Sequence, residues 1–221
     1  MKVVDENSYR LFPIKLGKLL SHKEAYAYLS LLFKSDYNTG ESNVLLETLS
    51  KEVGYDTETI SGYLHKAKEH GYVNITRKYI KGENGEPKTK NFYKVVIPSK
   101  DFIMVSRDFI NLHFENLPLK EETDIKGFVL LIKCICLNNC NLTYYSLKEM
   151  AKLLKISYGT IQKYMKKCIE LKLIQPYKSC YRIMFDHFDK GNTGYFPKGT
   201  QPLYKEIYLS LIHISEPTRL L

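Results

Sequence analysis

Gln162, Lys163, Lys166 and Lys167 follow one another at separations of one, three and one, so that 162 and 166, 163 and 166, and 163 and 167 stand three or four apart, the spacing that gathers side chains on one side of an α-helix. Lysine ammonium groups in such a row can meet phosphate oxygens or guanine O6 and N7, and a glutamine amide can pair with two atoms of adenine. This chemistry recognises a polyanion and breaks no bond. Tyr158, Gly159 and Thr160 open the same segment and belong to the candidate surface, while Glu170 closes it with an opposing charge. A lysine-rich face that is merely solvated is the competing reading, and lysine-rich helices commonly have one.

Nothing in the chain has the spacing of a catalytic constellation. There is no G-x-x-x-x-G-K-[ST] loop, no H-x-H pair, no H-E-x-x-H and no G-x-S-x-G. The expectation is a protein that is not an enzyme and needs no cofactor. The five cysteines, Cys134, Cys136, Cys140, Cys168 and Cys180, show no C-x-x-C pair and no histidine at ligand distance, so they read as small buried hydrophobes and no metal site is expected.

The helix that carries the lysines is the second copy of a repeat. Leu46 to Ile75 aligns without gaps on Leu147 to Pro176 at a spacing of 101, bringing Leu49 onto Met150, Val53 onto Leu154, Ile60 onto Ile161, Tyr63 onto Tyr164 and Ala67 onto Cys168. Each copy reads as a short amphipathic helix, a turn and a longer amphipathic helix, which is helix-turn-helix grammar. In the first copy, helices are expected at 46–53, ended by Gly54, and from Thr57 to about His70, capped by Asp56 and stopped by Gly71. With Ile60, Leu64, Ala67 and Gly71 turned inward, its outward face carries Glu58, Ser61, Gly62, His65, Lys66 and Glu69. That mixed face makes Ser61, His65 and Lys66 weaker candidates than their counterparts.

A further helix precedes each copy. Residues 22–36 place Ala25, Tyr28, Leu29, Leu32 and Phe33 on one side behind a capping box of Ser21 and Glu24, and Asp124 to about Leu137 is its equivalent. Val44-Leu-Leu reads as a short strand. After the first copy, β-rich runs at 72–80 and 91–97 flank a segment containing Asn84-Gly85, a hairpin signal. This hairpin carries Arg77, Lys78, Lys81, Lys88 and Lys90, suited to phosphate or minor-groove contact. Lysine also protects sheet edges, and that is the duller explanation. The second hairpin is shorter, with runs from Leu173 and Cys180 around Lys178. Ser146 to Leu154 and Tyr158 to about Leu171, capped by Ser157, are its two helices. Pro98 to Lys100 is a linker, followed by a lead-in of Phe102 to Val105 with Phe109 and Ile110.

Three helices followed by a two-stranded ribbon, twice over, define the expected fold: mainly α with small β wings, an α+β chain of two tandem winged helix-turn-helix domains at 8–98 and 102–186. Residues 187–208 read as a loop or the start of a further region. The net charge of +9 is shared, with 16 basic and 12 acidic groups in residues 1–100 and 16 and 11 in 101–208. Such an excess favours a polyanionic partner. The preponderance of lysine over arginine suits phosphate more than guanine, though an AT-rich genome gives the same bias. With no apolar stretch able to span a bilayer and no signal-peptide core at the N-terminus, a cytoplasmic location without membrane contact is expected.

The paired motifs at 46–64 and 147–165 resemble the winged helix-turn-helix superfamily, and their tandem order with a lysine-rich first wing is similar to plasmid and phage replication initiators. That resemblance covers about residues 8–186. It implies sequence-specific binding of double-stranded DNA by the initiator of a plasmid, phage or other mobile element, with a helicase as a replication partner and a homodimer left open. A transcriptional regulator built from the same modules is the alternative, and an adaptor whose winged helices bind protein is the second.

Residues 209–219 resemble the in-frame translation of a transposon-end sequencing adapter, so residues 209–221 read as a non-native tail and the natural chain is expected to continue past Tyr208. A chain ending at Tyr208 should therefore match the full chain in stability. Thermal unfolding of both checks this, and a loss above about 1 kcal/mol would show that the tail packs.

Overall fold

Ser21 accepts from the Glu24 backbone while Glu24 accepts from that of Ser21, a reciprocal cap that starts a helix whose residues Ala25 to Phe33 are all buried. The computed structural model describes residues 9–81, 86–136, 141–177 and 180–184. In chain order these form β1 (Tyr9–Pro13), α1 (Ile14–Gly17), α2 (His22–Phe33), β2 (Glu41–Ser42), α3 (Leu46–Val53), α4 (Thr57–Glu69), β3 (Val73–Lys81) and β4 (Pro87–Val95). There follow β5 (Phe102–Ser106), α5 (Arg107–Ile110), α6 (Leu119–Cys134), β6 (Leu142–Thr143), α7 (Leu147–Leu154), α8 (Tyr158–Glu170), β7 (Ile174–Tyr177) and β8 (Cys180–Ile183). The chain is α+β, with small antiparallel sheets ordered β1-β5, β2-β4-β3 and β6-β8-β7. Among the described residues no helix is long and apolar enough to cross a membrane.

The repeat reaches further upstream than its helix-turn-helix segments. β1 pairs with β5 antiparallel and Leu11 lies opposite Met104, its own counterpart at a spacing of 93 (104 − 11), as α1 and α5 are also 93 apart (107 − 14). Antiparallel pairing centred on equivalent residues is a local two-fold. The first helices obey it too: α2 packs on α6, and Lys23 Nζ lies 3.8 Å from a carboxylate oxygen of Asp124, its counterpart at 101. The change from 93 to 101 is an eight-residue difference between α5 and α6. Half lengthens the connection, 111–118 against 18–21, and half extends α6 at its N-terminus.

That extension corrects the expected start of α6 at Asp124. Glu121 and Glu122 occupy its first turn, where the helix dipole favours them, and Lys126 Nζ donates to Glu122 at 2.6 Å and to the Ile110 carbonyl at 2.9 Å. This buried ion pair hides charges that interrupt the apolar pattern, and a helix buried on every side from Glu122 to Cys134 has no polar face to give a period. The short strand is also displaced. It forms at Glu41–Ser42, because Ser42 pairs with Tyr93 of β4 and donates to the Lys34 carbonyl, leaving Val44 and Leu45 as the extended lead-in to α3.

Phe12, Tyr28, Leu29, Phe109, Phe128, Leu130 and Ile161 belong to one buried cluster that runs through both repeats. Burial pushes the Cys134 and Cys168 thiols up to about 12, consistent with packing rather than reactivity, and Cys180 is buried as well. Cys140 lies outside the described residues. The described residues contain no group of three or more His, Cys, Asp and Glu able to hold a metal.

The two repeats are fastened at one carboxylate. Asp124 on α6 accepts from Tyr55, in the turn between α3 and α4, at 2.5 Å and from Tyr164, on α8, at 2.9 Å. Burial, then the bond to Asp124, pushes both phenols above their usual range. Tyr164 is sandwiched between Phe128 and His22, with ring centroids at 5.6 and 4.7 Å. Neither ring nitrogen of His22 finds a hydrogen-bond partner among the described residues, and desolvation lowers its pKa to about 4.

Two expected outcomes follow from this packing. A Cβ at Gly127 would collide with the His22 carbonyl oxygen where α6 crosses α2, so Gly127→Ala should destabilise the chain by about 3 kcal/mol in denaturant unfolding. Lys155 ends α7 at φ 54, where the equivalent position in the first repeat is Gly54 at φ 76, so Lys155→Gly should raise stability by up to about 1 kcal/mol.

His22 protonates near 6.5 when unfolded but only near 4 when folded, so between these values acid favours the unfolded chain. Stability should be complete above about pH 6.5 and fall by about 3 kcal/mol towards pH 4 through this group. Chemical denaturation across that range should show a flatter profile for His22→Phe than for the native chain.

Candidate nucleic-acid interface

Asp56 accepts from the Thr59 backbone and hydroxyl, both at 2.7 Å, and these bonds start α4 while holding the Asp56 carboxyl below its usual range. Ser157 caps α8 in the same way through the Thr160 backbone at 3.2 Å, and Ser146 with Glu149 forms a capping box on α7. Each second helix is thus registered on its turn before any tertiary contact. Ile60, Leu64 and Ala67 on α4, and Ile161, Met165 and Cys168 on α8, are then buried. Gly71 was expected on the inward side of α4 but is exposed at φ 77, and Lys172 occupies the matching position at φ 58, exposed as well. This position serves to stop the helix, while Leu171 is the partly buried neighbour.

The polar face of α8 is narrower than its sequence suggests. Gly159, Gln162, Lys163 and Lys166 are exposed, as is Tyr158, and Thr160 is half-buried. Gln162 Nε2 donates to the Tyr158 hydroxyl at 3.1 Å, while Lys163 Nζ lies 5.4 Å from the Tyr164 ring centroid. Lys167 is half-buried and ion-paired with Glu121 of the α6 extension at 3.2 Å. It therefore joins α8 to the body of the protein, and the outward expectation for it is corrected.

On α4, Lys66 pairs with Glu69 at 3.2 Å and His65 Nδ1 is bonded to the half-buried Ser61 through its carbonyl at 2.8 Å. On this face Lys66 and His65 are held in local pairs, while Glu58 is an exposed carboxylate. Among the described residues Lys163 and Lys166 of α8 have no carboxylate partner of this kind.

The first ribbon supplies cations in its place. Across β3 and β4, Lys78 lies directly opposite Lys90 and Ile80 opposite Lys88, and the strands contain no carboxylate. Like charges facing across a ladder are unfavourable, so the ribbon holds a positive field that a polyanion would relieve. Arg77 donates to Thr89 at 2.9 Å, and Lys78 Nζ sits 5.2 Å from the Phe92 centroid. The side chains of Lys81 and Lys88, the Asn84-Gly85 turn and Lys178 lie outside the described residues.

Sequence reasoning missed Asp124 and His22, which hold Tyr164 and with it the angle of α8. The 101 spacing extended backwards would have set Asp124 against Lys23. It missed Lys94 too, an outward cation of β4 that pairs with Glu41 at 3.4 Å.

Comparison with protein families matches residues 137–165 to the NUMOD1 domain, a nuclease-associated modular DNA-binding domain of helix-turn-helix type. The matched stretch takes in β6, α7, the turn and α8 as far as Met165, including Tyr158, Gly159, Thr160, Gln162 and Lys163. Comparison with curated proteins gives no match. The family match covers a small part of the chain and supports a DNA-binding helix-turn-helix in the second repeat.

Proposed function

We propose that the chain binds double-stranded DNA sequence-specifically through two winged helix-turn-helix modules, 8–98 and 102–186, without catalysing a reaction. The observation that carries this reading is the exposed edge of Gln162, Lys163 and Lys166 on a capped helix whose residues up to Met165 lie in the stretch similar to the NUMOD1 domain. The modules contribute differently: α8 through its helix, the first module through its ribbon. Because a local two-fold relates them, one chain engaging a duplex with both would meet half-sites in inverted orientation.

The role we favour is initiation of replication on a plasmid, phage or other mobile element in the cytoplasm, with a helicase as partner. It draws on the resemblance of the paired motifs. A transcriptional regulator would use the same surfaces. The paired charges of α4 favour protein contact for that one helix, since Lys66 is neutralised by Glu69.

Each phosphate contact releases a counterion, so Lys163→Ala and Lys166→Ala should each reduce the slope of log affinity against log salt by about 1. Lys66→Ala, its charge already paired, should change the slope less. Gln162→Ala should leave the slope intact and relax preference at one base pair, by about 1 to 3 kcal/mol. Anisotropy with a duplex selected from a randomised pool measures all four. Native affinity and slope in both the Lys163 and Lys166 variants would reduce that face to a solvated surface and favour protein binding.

A further inference from the structure

Strand alternation gives the first ribbon two chemically different faces. Val73 and Ile75 of β3, with Tyr93 and Val95 of β4, turn into the core beside α4. Continued along the ladder beyond the edge of the core, the same face carries Arg77, Tyr79, Thr89 and Asn91. Tyr79 is 81% exposed, well above the 50% of Leu45, the next of the exposed large hydrophobic side chains among the described residues. On the opposite face Phe92 is half-buried with the Lys78 ammonium over its ring. Among the described residues no cation lies over the Tyr79 ring. A strand packing only for stability gains little from a bare aromatic ring there.

Its surroundings say what would cover it. Six cations, Arg77, Lys78, Lys81, Lys88, Lys90 and Lys94, lie on these two strands with no carboxylate among them, and Lys94 is answered by Glu41 of β2. Arg77 is two residues from Tyr79 on the same face, about 7 Å along the strand, and its bond to Thr89 goes to a neutral hydroxyl, with no carboxylate paired to it among the described residues. Arginine is favoured in a narrow minor groove, and an aromatic or apolar wedge beside it can part a base step that unstacks readily.

We propose that the first wing enters the DNA minor groove on this face, with Tyr79 as a wedge at a flexible pyrimidine–purine step and Arg77 in the groove beside it. This rests on the duplex-binding reading and adds a residue that reads DNA deformability. The ring carries no charge, so its contribution is insensitive to salt, unlike that of the lysines around it.

The test uses the full chain and two duplexes of equal length and composition, one rich in TA steps and one with the same bases arranged as A-tracts. The native protein should favour the TA-step duplex. Tyr79→Ala should lose roughly five- to tenfold affinity for it, with an unchanged salt slope, and should lose the preference between duplexes. Tyr79→Phe should keep both, and circular dichroism should show all three chains equally folded. Salt-dependent binding in which Tyr79→Ala equals the native chain on both duplexes, or loses equally on both, overturns the wedge while leaving DNA binding in place. Absence of salt-dependent binding to either duplex by the native chain overturns the wedge and the duplex reading together.

Discussion

Asp124 is 7% exposed, and a carboxylate in that position persists only if its oxygens are answered. They are answered by Tyr55 from one repeat and Tyr164 from the other, with Lys23 on the side left open. The orientation of both helix-turn-helix units is therefore written into a single acceptor. Tyr55 belongs to the turn that sets α4 against α3, and Tyr164 lies midway along α8. A rotation of either unit would leave a phenol or a carboxylate oxygen stranded in the interior, which costs more than the surface rearrangement gains. Gly127, one turn further along α6, makes this possible by letting α6 approach α2 closely enough for the three groups to meet.

What was legible in the sequence was what is local. Asp56, Ser146 and Ser157 cap helices through backbone groups three residues away, Gly54 terminates one by a left-handed residue, and apolar side chains at 60, 64 and 67 and again at 161, 165 and 168 mark the buried stripes. Each of these is decided within one turn of helix, so α3, α4, α7 and α8 could be placed closely. β1 and α1 were not foreseen, since Tyr9 to Pro13 gains its order from pairing with residues 89 (102 − 13) to 97 (106 − 9) positions away, and α1 follows from it. The α6 extension failed for a different reason: Glu122 and Lys126 look like surface charges until each is seen to be the other's partner.

The candidate surface was legible in composition and less so in geometry. Residue type identified Lys163 and Lys166 as available cations, yet Lys66 and Lys167, equally cationic in sequence, are held by Glu69 and Glu121. Glu121 exists only in the longer second copy, within the extra turn that the eight-residue difference creates. An asymmetry in connection length thus becomes an asymmetry in electrostatics on α8, about forty residues downstream.

The two repeats place their exposed cations differently. In the second, the ribbon is short and the helix keeps free lysines. In the first, Lys66 of the helix is paired with Glu69 and the long ribbon collects cations, with Lys78 and Lys90 opposed despite their repulsion. That repulsion is tolerable because the ribbon projects past the core, where solvent screens the charges and no apolar contact depends on their spacing. The Lys66–Glu69 pair on α4 and the opposed cations of the ribbon are therefore two sides of one arrangement. A duplex drawn to the first repeat would find its charge on a projecting hairpin, whereas at the second it would find it on a helix locked through Tyr164 to the centre of the molecule.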